Sequence, residues 1–132
     1  MKMEIMFPGG KRVDALFDGF TVQTDQPVSS GGEDSAPAPF DLFLASIGTC
    51  AGIYVLSFCQ QRSIPTDDIR LVQNIGRNPE TGILEIGIDI AVPSGFPEKY
   101  RGALIRSAEL CAVKKHITDQ LVSFSIETSM EE

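Results

Sequence analysis

The 132-residue sequence has no tryptophan, only two tyrosines, one histidine and three cysteines. A single histidine without any Cys-x-x-Cys pair argues against a zinc centre, and three unevenly spaced thiols do not form the disulfide framework of a small secreted protein. A reducing, cytoplasmic setting is therefore expected. Positive charge is also scarce: 11 Lys and Arg against 18 Asp and Glu give a net charge of −7. That balance argues against sequence-independent binding to a phosphate backbone, which needs clustered cations to release counterions, so nucleic acid is not an expected partner. Gly9-Gly10-Lys11 lacks the rest of a phosphate-binding loop. Met1 to Pro8 contains one lysine, no long apolar stretch and no small-residue cleavage site, so no signal peptide is expected. No repeat, linker or low-complexity tract is found, and neither metal nor cofactor is expected.

What is present is enough apolar material, 42% of residues, for one real core. We expect a single domain over residues 1–132. Met3 to Phe7, Arg12 to Phe17 and Phe20 to Thr24 read as short strands, with Asp18-Gly19 as a two-residue hairpin turn. Residues 25–38 hold Pro27, Gly31, Gly32 and Pro37 without periodicity and read as a loop. Pro39 then opens one long helix to about Arg62, with Asp41 placed to complement its dipole. Apolar residues surround this helix, which predicts burial on all sides. Ile69 to Ile75 and Ile83 to Val92 form a predicted hairpin. Glu98 to Leu110 and Ala112 to Gln120 follow as helices, and alternation over Val122 to Thr128 predicts a closing strand. The order gives a mixed α+β architecture with antiparallel strands.

The long helix has no charge between Asp41 and Arg62, a length that could span a bilayer. Ser46, Gly48, Thr49, Gly52, Ser57, Gln60 and Gln61 dilute it, and its flanks lack a basic bias. A core helix is expected, with no membrane partner. Gly48-Thr49-Cys50-Ala51-Gly52 forms a small-residue strip that a twin helix across a dimer axis would use.

The cysteines are the informative residues. Cys59 follows Cys50 by nine positions, and at about 100° per residue it faces the opposite side of the helix; it reads as a core residue. Cys50 lies on the small-residue strip. Cys111 ends a helix and precedes Lys114, Lys115 and His116, cations that favour a thiolate. Spacing alone leaves two readings of Cys50 and Cys111 open, packing residues or a reactive pair. His116 reads as a surface residue, and Asp67, Asp68, Glu131 and Glu132 as solvated carboxylates.

The run Ser35-Ala36-Pro37-Ala38-Pro39-Phe40-Asp41-Leu42-Phe43-Leu44-Ala45-Ser46-Ile47-Gly48-Thr49-Cys50, followed downstream by Leu110-Cys111-Ala112-Val113, resembles the OsmC/Ohr family of osmotically inducible and organic hydroperoxide resistance proteins. The element order fits over essentially the whole chain. The resemblance implies an OsmC-like fold assembled as an intertwined homodimer, with a long buried central helix and two sites at the subunit interface. It implies that the residue at Cys50 attacks the peroxide and that the residue at Cys111 resolves the sulfenic acid to a disulfide, which a dithiol reductant reopens. A basic residue after the first glycine turn, matching Lys11 or Arg12, would come from the partner subunit and steady the thiolate. The sequence departs from the peroxidase pattern where that pattern has a glutamate, ten residues before the reactive cysteine. Phe40 stands there, as in the OsmC-like branch without that acid; Glu33 or Glu109 is a possible substitute.

The first functional reading is a thiol-dependent peroxidase acting on small hydrophobic hydroperoxides in oxidative or osmotic stress, with Phe40, Phe43 and Tyr54 suited to an apolar substrate pocket. The alternatives are a non-catalytic protein of the same fold that binds a small apolar ligand, and an oxidant sensor.

Overall fold

The structure is a computed structural model and describes residues 1–130. Glu131 and Glu132, expected to be solvated, lie outside the described residues; Asp67 and Asp68 are exposed. Backbone contacts divide the chain into two compact units, one of residues 1–46 and one beginning at Ile47.

In the first unit, β1 (Glu4–Gly9), β2 (Arg12–Phe17) and β3 (Phe20–Thr24) form an antiparallel sheet in sequence order. The ladder between β1 and β2 slips by one residue between Met6 and Gly9. Pro8 lies in that interval and has no N–H to give a regular ladder. At the second turn Asp18 and Gly19 have φ of 49° and 80°, and Phe17 pairs with Phe20. This is the geometry that a two-residue hairpin of the primed type requires.

The loop after β3 is organised by Asp25, which is 1% exposed. Its carboxylate accepts the backbone N–H groups of Gln26 (2.7 Å), Glu33 (3.3 Å) and Ser35 (3.0 Å), and the Ser35 hydroxyl. The Ser35 hydroxyl, its N–H and the Gln26 N–H lower the Asp25 pKa to about 2, against the opposing effect of burial. Gly32 closes the loop against this strand end. A Cβ there would come within 2.0 Å of the Gln26 carbonyl oxygen, so no other residue fits.

Helix α1 (Pro39–Gln61) crosses the boundary between the units. Pro39 takes the first helical position, where a missing N–H costs nothing. The end is a Schellman motif: Ser63, with φ of 53°, donates to the Gln60 carbonyl and Ile64 to the Cys59 carbonyl at 2.9 Å. Arg62 folds back over the Phe58 ring at 3.7 Å and donates to the Phe58 carbonyl. By length and composition α1 is apolar enough to cross a membrane. Its buried positions, Ile47, Ala51, Val55, Phe58 and Cys59, form one stripe at helical spacing.

The single chain does not bury α1 on every side, as the apolar composition predicts: Phe40 and Ile53 are each 53% exposed. The glycine strip is also divided. A Cβ at Gly48 would lie 2.8 Å from the Gln73 side-chain oxygen of the same chain, whereas Gly52 meets open space.

The second unit pairs β4 (Arg70–Arg77) with β5 (Leu84–Ala91) in an unbroken antiparallel register. Asn78 closes the loop by accepting the N–H groups of Glu80 and Thr81. Helix α2 (Arg101–Ala108) and helix α3 (Ala112–Thr118) follow. The core comprises Val55, Phe58, Cys59, Phe96 and Leu104, bordered by Ile64, Leu71, Ile90 and Tyr100. Cys59 is fully buried in it, as expected of an apolar packing residue, and burial raises its pKa.

The closing strand expected over Val122 to Thr128 does not form in the single chain. Those residues have no assigned strand, and Val122, Phe124 and Ile126 are 52%, 88% and 96% exposed. Alternation equips a segment to be half-buried, but a strand also needs an edge that accepts its hydrogen bonds.

Candidate functional site

The second unit brings Cys50 and Cys111 together. Cys50 lies midway along α1, and Cys111 is the residue that caps the start of α3. The Cys111 thiol is a hydrogen-bond neighbour of the Cys50 sulfur and is also 3.7 Å from the Ile47 carbonyl oxygen. A thiol has a single proton, so Cys111 donates to one acceptor at a time and can turn to Cys50 when that sulfur is ionised. No disulfide joins them; all three cysteines are free.

The two thiols are held in opposite senses. The Val113 backbone N–H, with help from the Cys111 thiol and the Ala112 N–H, holds the Cys50 pKa below the ordinary thiol range despite partial burial. Burial pushes Cys111 up, and its 2% exposure makes this the larger effect over the N–H of Lys114, 3.4 Å from its sulfur. The sequence-based expectation that the cations after Cys111 favour its thiolate is therefore corrected. The N–H groups at the start of α3 act to lower the pKa of both sulfurs; at Cys50 they prevail, whereas at Cys111 burial outweighs them. His116 is exposed, as expected, with Nδ1 2.7 Å from the Ala112 carbonyl.

Cys111 also lies on the wall of a cavity of about 470 Å³ within the second unit. Ile47 and Ala51 of α1, Ile86 and Ile88 of β5, and Ile105 of α2 make it apolar; Glu109, Lys114 and Thr118 supply polar groups. The sequence reading missed the apolar residues of this lining. Their signal was the alternation through Ile86 and Ile88, which identifies a buried face but not a void behind it. Phe40, Phe43 and Tyr54 do not line this cavity. Phe40 and Phe43 pack ring against ring at 5.5 Å on the first turns of α1, and Tyr54 is half-buried one turn beyond Cys50.

Lys11 and Arg12 belong to the first unit. With Gly9, Gly10, Asp25 and Glu33 they line a small polar pocket of about 120 Å³ at the β1–β2 turn. Of the two acids considered as substitutes for the missing glutamate, Glu33 shares this pocket with the basic pair, and Glu109 lines the Cys111 cavity. Among the described residues no group of His, Cys, Asp and Glu could hold a metal ion.

The fold is α+β, with antiparallel strands, one long helix and two neighbouring free thiols. Residues 32–127 match the family described as OsmC-like protein, and the chain belongs to that family. No curated protein shows significant similarity to it. Its fold is shared with solved OsmC/Ohr structures. A Psychrobacter arcticus protein assigned to osmotic stress and detoxification is 20% identical, covering 87% of this chain and 86% of the other with a TM-score of 0.70. The Legionella pneumophila organic hydroperoxide resistance protein OsmC is 23% identical over 89% of each chain, with a TM-score of 0.53. A Vibrio cholerae protein assigned to organic hydroperoxide resistance, with captopril bound in one of its active sites, is 15% identical over 89% and 84%, with a TM-score of 0.56.

Proposed function

We propose that this protein reduces small hydrophobic organic hydroperoxides with its own thiols, as part of cytoplasmic defence against oxidative or osmotic stress. The observation that carries the reading is the adjacency of a lowered thiol, Cys50, and a raised one, Cys111. In the reaction, the Cys50 thiolate attacks the terminal peroxide oxygen, the O–O bond breaks, and the alkoxide leaves as an alcohol after taking a proton. Cys50 is now a sulfenic acid. Cys111 attacks its sulfur, water leaves, and a disulfide forms. A dithiol reductant then supplies two electrons and two protons to restore both thiols.

Ionisation alone does little for such an enzyme. Lowering a thiol pKa from about 8.5 to about 6 raises the thiolate fraction at neutral pH roughly thirtyfold, but a Brønsted slope of about 0.4 to 0.5 cancels roughly tenfold of that gain. A donor for the departing oxygen must supply much of the rest. We assign this role to Lys11 or Arg12 of a partner subunit in an intertwined homodimer, with Phe40, Phe43 and Tyr54 receiving the apolar part of the substrate. The two units are taken as one OsmC-like domain, a reading supported by the family match across their boundary.

The test is consumption of cumene hydroperoxide under a dithiol reductant. Multiple turnovers are expected, with C50S slower by on the order of a hundredfold or more. A second reading, a non-catalytic binder of apolar ligands, draws on the 470 Å³ apolar cavity. It predicts tight binding of an apolar probe and unreacted thiols in the same assay.

A further inference from the structure

The cavity beside Cys111 is built from regular faces of the elements around it. Ile86 and Ile88 are alternate residues of β5, and Lys114, Ile117 and Thr118 share one face of α3. Its depth is graded from apolar to polar. Ile47, Ala51 and Cys111 are buried and form the floor, whereas Ile105 and Ile117 are exposed and form the rim with Glu109, Lys114 and Thr118. A molecule that fits this gradient has a hydrocarbon tail for the floor and a polar head for the rim.

The rim also selects the sign of the head. Among the described residues the ion pairs are Lys2–Glu4 and Glu98–Arg101, so the Lys114 ammonium has no carboxylate partner. From residue 106 to residue 119, Arg106, Lys114 and Lys115 outnumber Glu109 and Asp119. The helical segments that carry the rim are therefore net positive, which attracts an anion.

The geometry points to this cavity as a binding site for a single-chain carboxylate, its tail against the Cys111 sulfur and its head at Lys114. Such an occupant is not the peroxide of the proposed reaction, because Cys50 is not on the cavity wall. At about 470 Å³ the volume lies within the roughly 300–1,000 Å³ of small-molecule pockets. The inference names a ligand class for the cavity on which the binding reading rests, and it holds whether or not the thiols also turn over a hydroperoxide.

The test is a titration of the full, reduced chain with decanoate, its isoleucine methyl groups labelled for NMR. Signals of Ile47, Ile86, Ile88, Ile105 and Ile117 should move together and saturate, while those of Ile5 on β1 and of Ile53 on the exposed side of α1 stay in place. Octanoate should bind about fifteenfold more weakly, roughly fourfold for each methylene withdrawn from the cavity. K114E should weaken decanoate roughly fivefold, near the upper end for one exposed ion pair, and leave decanol unchanged. Shifts at Ile53 in place of the cavity set overturn the inference, as does decanoate binding indifferent to K114E. Decanol bound in the cavity as tightly as decanoate overturns it too, and leaves a general apolar binder. If decanoate binds as expected and the same protein turns over a hydroperoxide, the inference stands and the non-catalytic reading falls.

Discussion

Cys50 and Cys111 have the same side chain and opposite protonation preferences, which follow from what each sulfur meets. Cys50 accepts N–H groups from α3, and Cys111 is walled in. Alkylation of Cys50 should therefore persist at a pH where an ordinary thiol, with pKa about 8.5, has become unreactive. Cys111 should require a higher pH than an ordinary thiol. Iodoacetamide rates at each cysteine against pH, followed by peptide mass, check both directions; a Cys50 profile at or above that of a free thiol contradicts the assignment. At this scale the sequence was informative about identity and silent about environment. Cys59 could be placed in the core from helical spacing, and Cys50 and Cys111 singled out by their neighbours. The direction of the Cys111 shift could not be read, because the lysines next to it are visible in sequence and its burial is not. Asp25 was passed over for a related reason. Its importance lies in three N–H groups and a hydroxyl spread over residues 26–35, which converge only once the loop has closed.

Among the elements, the strands and helices legible in sequence were those fixed by local signals. Asp18-Gly19 set the β2–β3 hairpin, Pro39 began α1, and alternation marked β5. The end of α1, expected at about Arg62, falls at Gln61, although the Ser63 that closes it adopts positive φ where glycine is the usual residue. Left-handed backbone strains a residue that carries a Cβ. Replacing Ser63 with glycine should therefore stabilise the fold by roughly 0.5–1 kcal/mol, after the entropy that glycine loses on folding. A denaturant midpoint moved upward at constant slope is the expected result; a downward shift would show that the Ser63 side chain contributes more than its strain costs. The segment over Val122 to Thr128 was misread for a different reason. Its alternating side chains specify a half-buried face, but the partner strand is not specified by the segment itself.

At the level of the whole molecule, the apolar residues left open by one chain set the next expectation. Phe20, Phe40, Ile53, Phe124 and Ile126 are all more than half exposed. Exposed large apolar side chains in each unit are the ones a partner would cover, and the intertwined homodimer is the assembly that the family resemblance implies. Sedimentation equilibrium should give twice the chain mass. Aspartate at both Phe124 and Ile126 should shift the equilibrium towards monomer, with the β4–β5 hairpin retained. A wild-type protein that sediments as a monomer at micromolar concentration would remove the basis for assigning Lys11 or Arg12 to a partner's site.

The account depends on Cys50 and Cys111 acting on each other in the folded protein. Its most direct test is a peptide map of the reduced protein after brief exposure to one equivalent of an organic hydroperoxide, with remaining thiols alkylated before digestion. The predicted product is one cross-linked pair, the Cys50 peptide joined to the Cys111 peptide, with Cys59 recovered as an alkylated thiol. Cys50 recovered as a stable sulfinic acid beside an alkylated Cys111, or all three cysteines recovered unoxidised, would contradict it.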